Sequence, residues 1–289
     1  MAIGFFDGVH LGHQQIIGRT IGDARAARGQ SLVVTFRQHP STIVATHRVP
    51  PLIYSLSQRL RAFEALGADA VLLIDFDKSF SELTGEQFVR KMVHDLGAIQ
   101  SICVGENFSF GHQRGGNVDL LRRLGPQLGF AVHGLPSLSR GGNIVSSTRI
   151  REAIQAGDFI TANEMLGRDY SLCGSVHAGE KIGRTLGFPT ANMEVGGKAL
   201  PPRGVYSAAA LVDRRKYQAV VNLGMRPTIA QSEPQLRCEA HLLDFDGDLY
   251  GVELEVFFKK KLRDEHKFDS REALRKQIAQ DITLARENN

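Results

Sequence analysis

The first 166 residues alternate short β-rich runs with helical patterns that end at glycine. The β-rich runs cover residues 2–6, 31–36, 69–75, 100–105 and 130–134. The helical patterns cover residues 57–66, 84–96 and 117–128, and the second opens with a capping box formed by Thr84 and Gln87. Such alternation is typical of a parallel sheet covered by helices. We therefore predict an α/β domain over residues 1–168.

After about residue 170 the pattern changes to longer β segments separated by turn residues. These segments cover residues 203–213, 216–223, 236–243 and 248–258. Residues 270–286 place Leu274, Ile278, Ile282 and Ala285 on one helical face. This predicts a mainly antiparallel β domain over residues 169–289 that ends in an amphipathic helix.

Charge and cysteine usage restrict the class of protein. The 35 Lys and Arg are interspersed with 31 Asp and Glu, so the net charge of +4 forms no basic block that would track a nucleic acid backbone. Cys103, Cys173 and Cys238 form no metal or redox motif, which favours a reducing compartment. The start of the chain has no secretory pattern, and no apolar run is long enough to span a bilayer. We expect a cytoplasmic protein that binds small anionic substrates, neither nucleic acid nor membrane.

A glycine-rich segment, residues 4–13 (GFFDGVHLGH), joins the first predicted strand to a helix that begins near His13. Free N–H groups at a helix start favour a phosphate, and glycines allow its close approach. His10 and His13 could both stabilise charge that develops on one phosphate group during displacement of pyrophosphate. The alternative is that the two imidazoles only form local hydrogen bonds. The other candidate contacts to ATP in this segment are Gly4, Phe5, Asp7, Gly8 and Gly12.

A second candidate phosphate segment, residues 146–151 (SSTRIR), opens a helix after the last strand of the α/β domain. Hydroxyl and N–H groups at this helix start, including those of Ser147 and Thr148, are backed by Arg149 and Arg151 and could hold the β and γ phosphates of ATP. An ordinary helix cap with solvated arginines is the alternative. The sequence contains no Walker A, dinucleotide-binding or protein-kinase signature, so bound ATP would depend on the histidine segment.

The β domain carries two further candidate groups. Within residues 183–192 (GRTLGFPTAN), Thr190 and Asn192 supply oxygen ligands of the kind that Mg²⁺ prefers, although a plain hydrogen-bonded turn has the same composition. Residues 236–243 alternate, so that Glu239 points away from the apolar face. Glu239 is either a general base or a solvated strand residue.

Taken together, these segments resemble the bacterial bifunctional riboflavin kinase/FAD synthetases, and the resemblance runs from residue 2 almost to the end. The motifs that carry it are residues 4–13, 35–40, 104–111, 146–151, 183–192, 204–206, 222–228, 239–245 and 263–265. The resemblance implies a Rossmann-like nucleotidyltransferase domain that adenylates FMN to FAD, followed by a β-barrel domain that phosphorylates riboflavin to FMN. ATP and Mg²⁺ are the implied co-substrate and metal.

The resemblance also implies roles for individual residues. His10, His13 and Glu239 would be catalytic, and Thr190 with Asn192 would hold the metal. Gly183 and Arg184 would contact ATP in the kinase site. The implied flavin contacts are Asn107, Arg263 and Glu265.

This chain departs from the family pattern in two places. It begins inside the first strand, and Gln38 replaces a common proline. Two other classes remain open: a different histidine-motif nucleotidyltransferase or tRNA-synthetase-like protein, and a flavin- or RNA-binding module without turnover. For the bifunctional enzyme we expect a monomer or weak homo-oligomer.

Overall fold

The computed structural model describes residues 1–45, 49–179, 182–226 and 235–287. The chain divides into two compact units: residues 1–149 with 165–167, and residues 150–164 with 168–289. The predicted boundary at residue 168 stays a prediction. Within the described residues, no helix has both the length and the apolar character needed to cross a bilayer.

The first unit is built on a parallel sheet of five strands: β1 (Ala2–Ile3), β2 (Leu32–Phe36), β3 (Ala70–Ile74), β4 (Ser101–Gly105) and β7 (Ala131–Leu135). The two short hairpins are β5 (Ser109–Phe110) with β6 (Gly116–Asn117), and β8 (Ser139–Arg140) with β9 (Asn143–Ile144). Its helices are α1 (Leu11–Ala26), α2 (Ser41–Val44), α3 (Leu56–Ala65), α4 (Lys78–Ser81), α5 (Gly85–Leu96) and α6 (Val118–Leu128).

Both faces of this sheet are buried, as the apolar strands predict. Alternation along each strand sends Val34 to a core with Phe88 and Leu121 of α5 and α6, and its neighbour Val33 to a core with Ile17 and Phe63 of α1 and α3. The strand order β3-β2-β1-β4-β7 reverses direction between β1 and β4. In open α/β sheets a ligand binds past the carboxyl ends of the strands at such a reversal. The loops after β1 and β4 meet this condition.

The second unit is a closed antiparallel barrel in the order β10-β11-β14-β13-β12-β15. Its strands are β10 (Ser171–His177), β11 (Ala191–Met193), β12 (Gly204–Val212), β13 (Arg215–Arg226), β14 (Gln235–Leu242) and β15 (Glu253–Arg263). Its helices are α9 (Ile182–Thr185) and α10 (Arg271–Glu287), and α7 (Ser147–Ala156) and α8 (Phe159–Leu166) have residues in both units. The predicted fold class is therefore confirmed.

Aromatic packing explains why residues before the barrel belong to its unit. The Phe159 ring at the start of α8 lies 5.6 Å from the Phe258 ring and 6.2 Å from the Tyr170 ring. Tyr206 packs edge-on against Phe258 at 5.3 Å. Burial raises the pKa of Tyr206 to about 12, so the phenol stays protonated within this cluster.

Candidate active sites in the two units

The first candidate site begins where β1 ends. Helix α1 starts at Leu11, two residues earlier than predicted, with His10 as its N-cap. The Nδ1 atom of His10 accepts a hydrogen bond from the His13 backbone N–H at 3.4 Å, and the two imidazoles stack with centroids 3.6 Å apart. A Cβ atom on Gly12 would lie 3.3 Å from the His10 ring. Glycine at that position therefore leaves space for the imidazole against the first helical turn.

Hydrogen bonds of the Asp7 side chain fix the loop that precedes His10. The Asp7 carboxylate is buried and accepts hydrogen bonds from the backbone N–H groups of Ile53, at 3.0 and 3.1 Å, and Tyr54, at 3.0 Å. Gly8 has a φ of 74°, a conformation that side chains other than glycine rarely adopt. The Asp7 carboxylate thus fixes the loop, and a contact between Asp7 and ATP stays a prediction.

The two predicted phosphate segments meet in the structure. The Ser147 hydroxyl donates a hydrogen bond to the Asp7 carbonyl oxygen at 3.1 Å, which joins the start of α7 to the loop after β1. Thr148 is exposed on the first turn of α7. Arg151 lies in the next turn of the same helix. Asn107 follows β4, the neighbour of β1 in the sheet, and donates through Nδ2 to the Ser137 hydroxyl at 3.5 Å.

Arg59 is a residue of this site that the sequence analysis missed. It is 1% exposed, and its guanidinium donates to the carbonyl oxygens of Phe5, Phe36 and Arg37 at 2.9, 3.0 and 3.3 Å and to the Thr35 hydroxyl at 3.1 Å. Burial lowers the pKa of Arg59 to about 10, while the charge of Asp7 opposes that shift. Arg59 therefore ties the loop after β1 to the carboxyl end of β2.

The second candidate site lies on one side of the barrel. Asn192 of β11 is the register partner of Glu239 of β14, and Glu239 is also paired with Asn222 of β13. The Glu239 side chain is 31% exposed, and its Oε1 atom lies 3.7 Å from a guanidinium nitrogen of Arg237. The predicted base and one predicted metal ligand, Asn192, are thus neighbours across adjacent strands.

Two cavities adjoin this group and share Thr190 and Asn192 in their walls. One, the helix-side cavity, has a volume of about 690 Å³. Its wall includes Gly183, Thr190, Asn192, Glu239, His241, Arg263, Glu265, Asp281 and apolar residues of α10. The other, the loop-side cavity, has a volume of about 340 Å³ and is lined by Arg184 and by the loop of residues 245–250. A group held at Thr190 and Asn192 would therefore contact ligands in both cavities.

The residues around Thr190 and Asn192 fit a magnesium ion held together with nucleotide phosphates. A Cβ atom on Gly179 would overlap the Asn192 amide, and one on Gly183 would lie 3.3 Å from the Thr190 hydroxyl oxygen. Glycine at both positions keeps space open beside the two oxygen donors. Hydroxyl and amide oxygens are ligands of the kind that Mg²⁺ takes together with nucleotide phosphates, so Thr190 and Asn192 fit such an ion.

The predicted flavin contacts of the barrel have defined partners. Arg263 forms a two-pronged ion pair with Asp281 of α10, with nitrogen to oxygen distances of 2.8 to 3.1 Å, and Asp281 is 2% exposed. Glu265 accepts a hydrogen bond from the Met225 backbone N–H at 3.4 Å. Both side chains also line the helix-side cavity. Residues 227 and 228 of the motif at 222–228 lie outside the described residues.

Comparison with known proteins assigns each unit to a family. The family model for FAD synthetase matches residues 1–149, and the one for riboflavin kinase matches residues 166–289. A bifunctional riboflavin kinase/FMN adenylyltransferase from Escherichia coli K12 is 35% identical over 99% of this chain and 91% of its own length. The Pseudomonas fluorescens protein of that name is 37% identical over 98% of this chain and 91% of its own.

A solved structure covers nearly the whole chain. The crystal structure described as a macrolide-efflux protein from Streptococcus pneumoniae superposes with a TM-score of 0.82 and 30% identity over 99% of this chain and 93% of that one. The resemblance that the sequence motifs predict is confirmed by the family models and by the identity to relatives across both units. The chain belongs to the family of bifunctional riboflavin kinase/FMN adenylyltransferases.

Proposed function

We propose that this chain carries out two successive transfers from ATP at separate sites. The barrel unit phosphorylates riboflavin to FMN with MgATP, and the first unit adenylates FMN to FAD with release of pyrophosphate. The observation that carries this proposal is the strand register that sets Glu239 beside Asn192, where the helix-side and loop-side cavities share a wall. A kinase site needs a base beside the hydroxyl of the acceptor and phosphate ligands between the acceptor and ATP. The pairing of Glu239 with Asn192 supports such an arrangement.

In the barrel, the 5′-hydroxyl of riboflavin attacks the γ-phosphorus of ATP and the bond to the ADP oxygen breaks. Glu239 removes the hydroxyl proton as that oxygen attacks. Thr190 and Asn192 would hold Mg²⁺, which supplies neutralisation of phosphate charge when bound. Gly183 and Arg184 contact the nucleotide, and the apolar wall from α10 accepts the flavin ring. Arg263 and Glu265 complete the flavin side of the helix-side cavity.

In the first unit, a phosphate oxygen of FMN attacks the α-phosphorus of ATP and pyrophosphate leaves. His10 and His13 stabilise the negative charge that develops on the α-phosphate oxygens, helped by the N–H groups at the start of α1. Ser147, Thr148 and Arg151 hold the β and γ phosphates. The backbone from Gly4 to Gly12, including Phe5, Asp7 and Gly8, lines the triphosphate, and Asn107 contacts the flavin.

We further infer that the chain works in the cytoplasm as a monomer or weak homo-oligomer without a nucleic acid partner. The interspersed charges support this inference, because nucleic acid binding depends on clustered cations. Sizing the protein by light scattering, with and without added RNA, tests the oligomeric state and the absence of a nucleic acid partner. A stable higher oligomer or a shift in mass with RNA would contradict it.

The function is tested by incubating the purified chain with riboflavin, ATP and Mg²⁺ and separating the flavins over time. We expect FMN to form first and FAD to follow, because FMN is the substrate of the second reaction. Formation of FMN alone would contradict the adenylyl transfer, and absence of any conversion would contradict both activities.

His10→Ala should abolish most FAD formation and leave FMN formation close to that of the wild type. Removing one donor that stabilises developing charge lowers the rate by about 10²–10³-fold. Initial rates of FAD formation from supplied FMN measure the effect. His94→Ala is the matched control, because the His94 side chain is 89% exposed in the same unit. Equal FAD rates in the two variants would exclude His10 from the reaction.

Glu239→Gln should suppress FMN formation by about 10²–10⁴-fold, the loss expected for a well-placed general base. The same protein should still convert supplied FMN into FAD, because the adenylyl transfer uses other residues. Glu272→Gln, an exposed change on α10, serves as the control. A variant at Glu239 that phosphorylates riboflavin at the control rate would show that another group removes the proton.

A further inference from the structure

His241 lies next to the proposed kinase residues without being one of them. It is two residues from Glu239 on β14, so the two side chains share a face of the strand. Both line the helix-side cavity. The imidazole has a partner of its own, because Nδ1 lies 2.7 Å from the Pro189 carbonyl oxygen.

The direction of this hydrogen bond follows from the acceptor. A carbonyl oxygen can only accept, so Nδ1 of His241 carries the proton. Pro189 immediately precedes Thr190 and leads to Asn192, the two residues proposed to hold the metal and phosphates. The same imidazole packs edge-on against Phe188, with ring centroids 5.7 Å apart. His241 therefore contacts two consecutive residues, Phe188 and Pro189, that immediately precede residues 190–192, which we call the Thr190 segment.

Main-chain hydrogen bonds anchor residues 188–190 on either side of Pro189. On its amino-terminal side, the Phe188 N–H donates to the Gly183 carbonyl oxygen at 2.8 Å and the Leu186 N–H donates to the same oxygen at 3.1 Å. On its carboxyl-terminal side, pairing with β14 begins at Ala191. Pro189 has no N–H group to donate. The hydrogen bond from His241 to the Pro189 carbonyl oxygen lies between these two anchors and joins a side chain of β14 to this stretch of main chain.

We propose that His241 is a positioning residue of the kinase site, whose imidazole N–H holds the Pro189 carbonyl and thereby directs Thr190 and Asn192 toward Glu239. The proposal rests on the kinase activity proposed for the barrel. It assigns His241 no contact with the reacting atoms. Its effect should therefore appear in the handling of MgATP before it appears in the binding of riboflavin.

Two replacements distinguish the two ring nitrogens. His241→Asn places an amide N–H near the position of Nδ1 and can restore the bond to Pro189. His241→Gln places its amide near the position of Nε2 and leaves that bond unmade. We expect His241→Ala and His241→Gln to lower kcat/KM for MgATP roughly tenfold, the loss expected for one well-placed hydrogen bond, and His241→Asn to stay within about threefold of wild type.

Two readouts separate positioning from a general loss of structure. Binding of Mg²⁺-ADP by calorimetry should weaken in the alanine and glutamine variants by a larger factor than riboflavin affinity, which is measured by quenching of riboflavin fluorescence. FAD formation from supplied FMN reports the other unit of the same chain and should not change. If the asparagine and glutamine variants lose equal activity, or if riboflavin affinity falls as much as Mg²⁺-ADP affinity, the positioning role is wrong.

A double-mutant cycle with Thr190→Ala completes the test. If His241 acts through the Thr190 segment, His241→Ala should lower kcat/KM for MgATP by less than about twofold once Thr190 is already alanine. A full, additive loss in that background would overturn the proposal. Failure of the wild type to phosphorylate riboflavin would instead refute the proposed function, so the two failures are distinguishable.

Discussion

Arg59 illustrates how one buried charge can organise a site that it does not enter. Its planar guanidinium has donors in several directions, and four oxygens accept from it, one in the loop after β1 and three at the carboxyl end of β2 and the residue that follows it. The Phe5 ring lies under the guanidinium, 4.3 Å from its carbon to the ring centroid. Lysine would keep the charge, but its three N–H donors are all on one nitrogen atom. It cannot reach all of these acceptors.

We therefore expect Arg59→Lys to lower FAD formation from FMN by at least tenfold, because it leaves buried carbonyl groups without donors and loosens the loop that carries His10. Riboflavin phosphorylation by the same protein should stay at the wild-type rate. Arg61→Lys, an exposed change two residues along the same helix, is the control. An unchanged rate of FAD formation in a folded Arg59→Lys protein would contradict the proposed role.

The sequence could not identify Arg59, because an arginine in a polar helix is usually solvated. A weak signal existed in its spacing, since Arg59 and Phe63 are four residues apart and share the buried face of α3. Local chemistry was more informative at Thr84, where the predicted capping box is present with both hydrogen bonds. Caps depend on neighbours in the chain, whereas the partners of Arg59 come from distant strands.

At the scale of elements, the predicted bounds were accurate where a single hydrophobic periodicity ran through the element. They were wrong where a turn interrupted the apolar pattern. The C-terminal helix was predicted at residues 270–286 and is Arg271–Glu287. The last strand was predicted at residues 248–258 but is Glu253–Arg263. Gly251, with a φ of 75°, and the Val252 N–H, which donates to the Leu249 carbonyl oxygen at 3.1 Å, make a turn that delays the strand. Apolar alternation alone does not reveal such a turn.

Helix α10 is joined to β15 by the Arg263–Asp281 ion pair. This pair should contribute more to the stability of the barrel than exposed ion pairs nearby. Asp281→Asn leaves the Arg263 guanidinium without its buried counter-charge. We expect this to lower the free energy of unfolding of the barrel by about 3 kcal/mol. Asp264→Asn removes an exposed partner of Lys261 and should lower the free energy of unfolding far less than Asp281→Asn does. Urea unfolding followed by circular dichroism measures both changes. Equal effects would show that burial does not strengthen the Asp281 pair.

At the scale of the whole molecule, each proposed reaction uses a group of residues from its own part of the sequence. The barrel site draws on residues 183–281, and the histidine site begins at Gly4. FMN is the product of one reaction and the substrate of the other. If FMN leaves the barrel before it is adenylated, the two reactions need not occur on the same copy of the chain.

An equimolar mixture of the His10→Ala and Glu239→Gln proteins should therefore convert riboflavin into FAD, although neither does so alone. The Glu239→Gln protein lacks the base for the first step, and the His10→Ala protein supplies FMN from solution. We expect a lag before FAD appears that shortens as the His10→Ala protein is increased, because FMN must first accumulate. Chromatography of the flavins records both phases. If the mixture makes FMN without FAD, while the Glu239→Gln protein still adenylates added FMN at that concentration, transfer through solution is excluded.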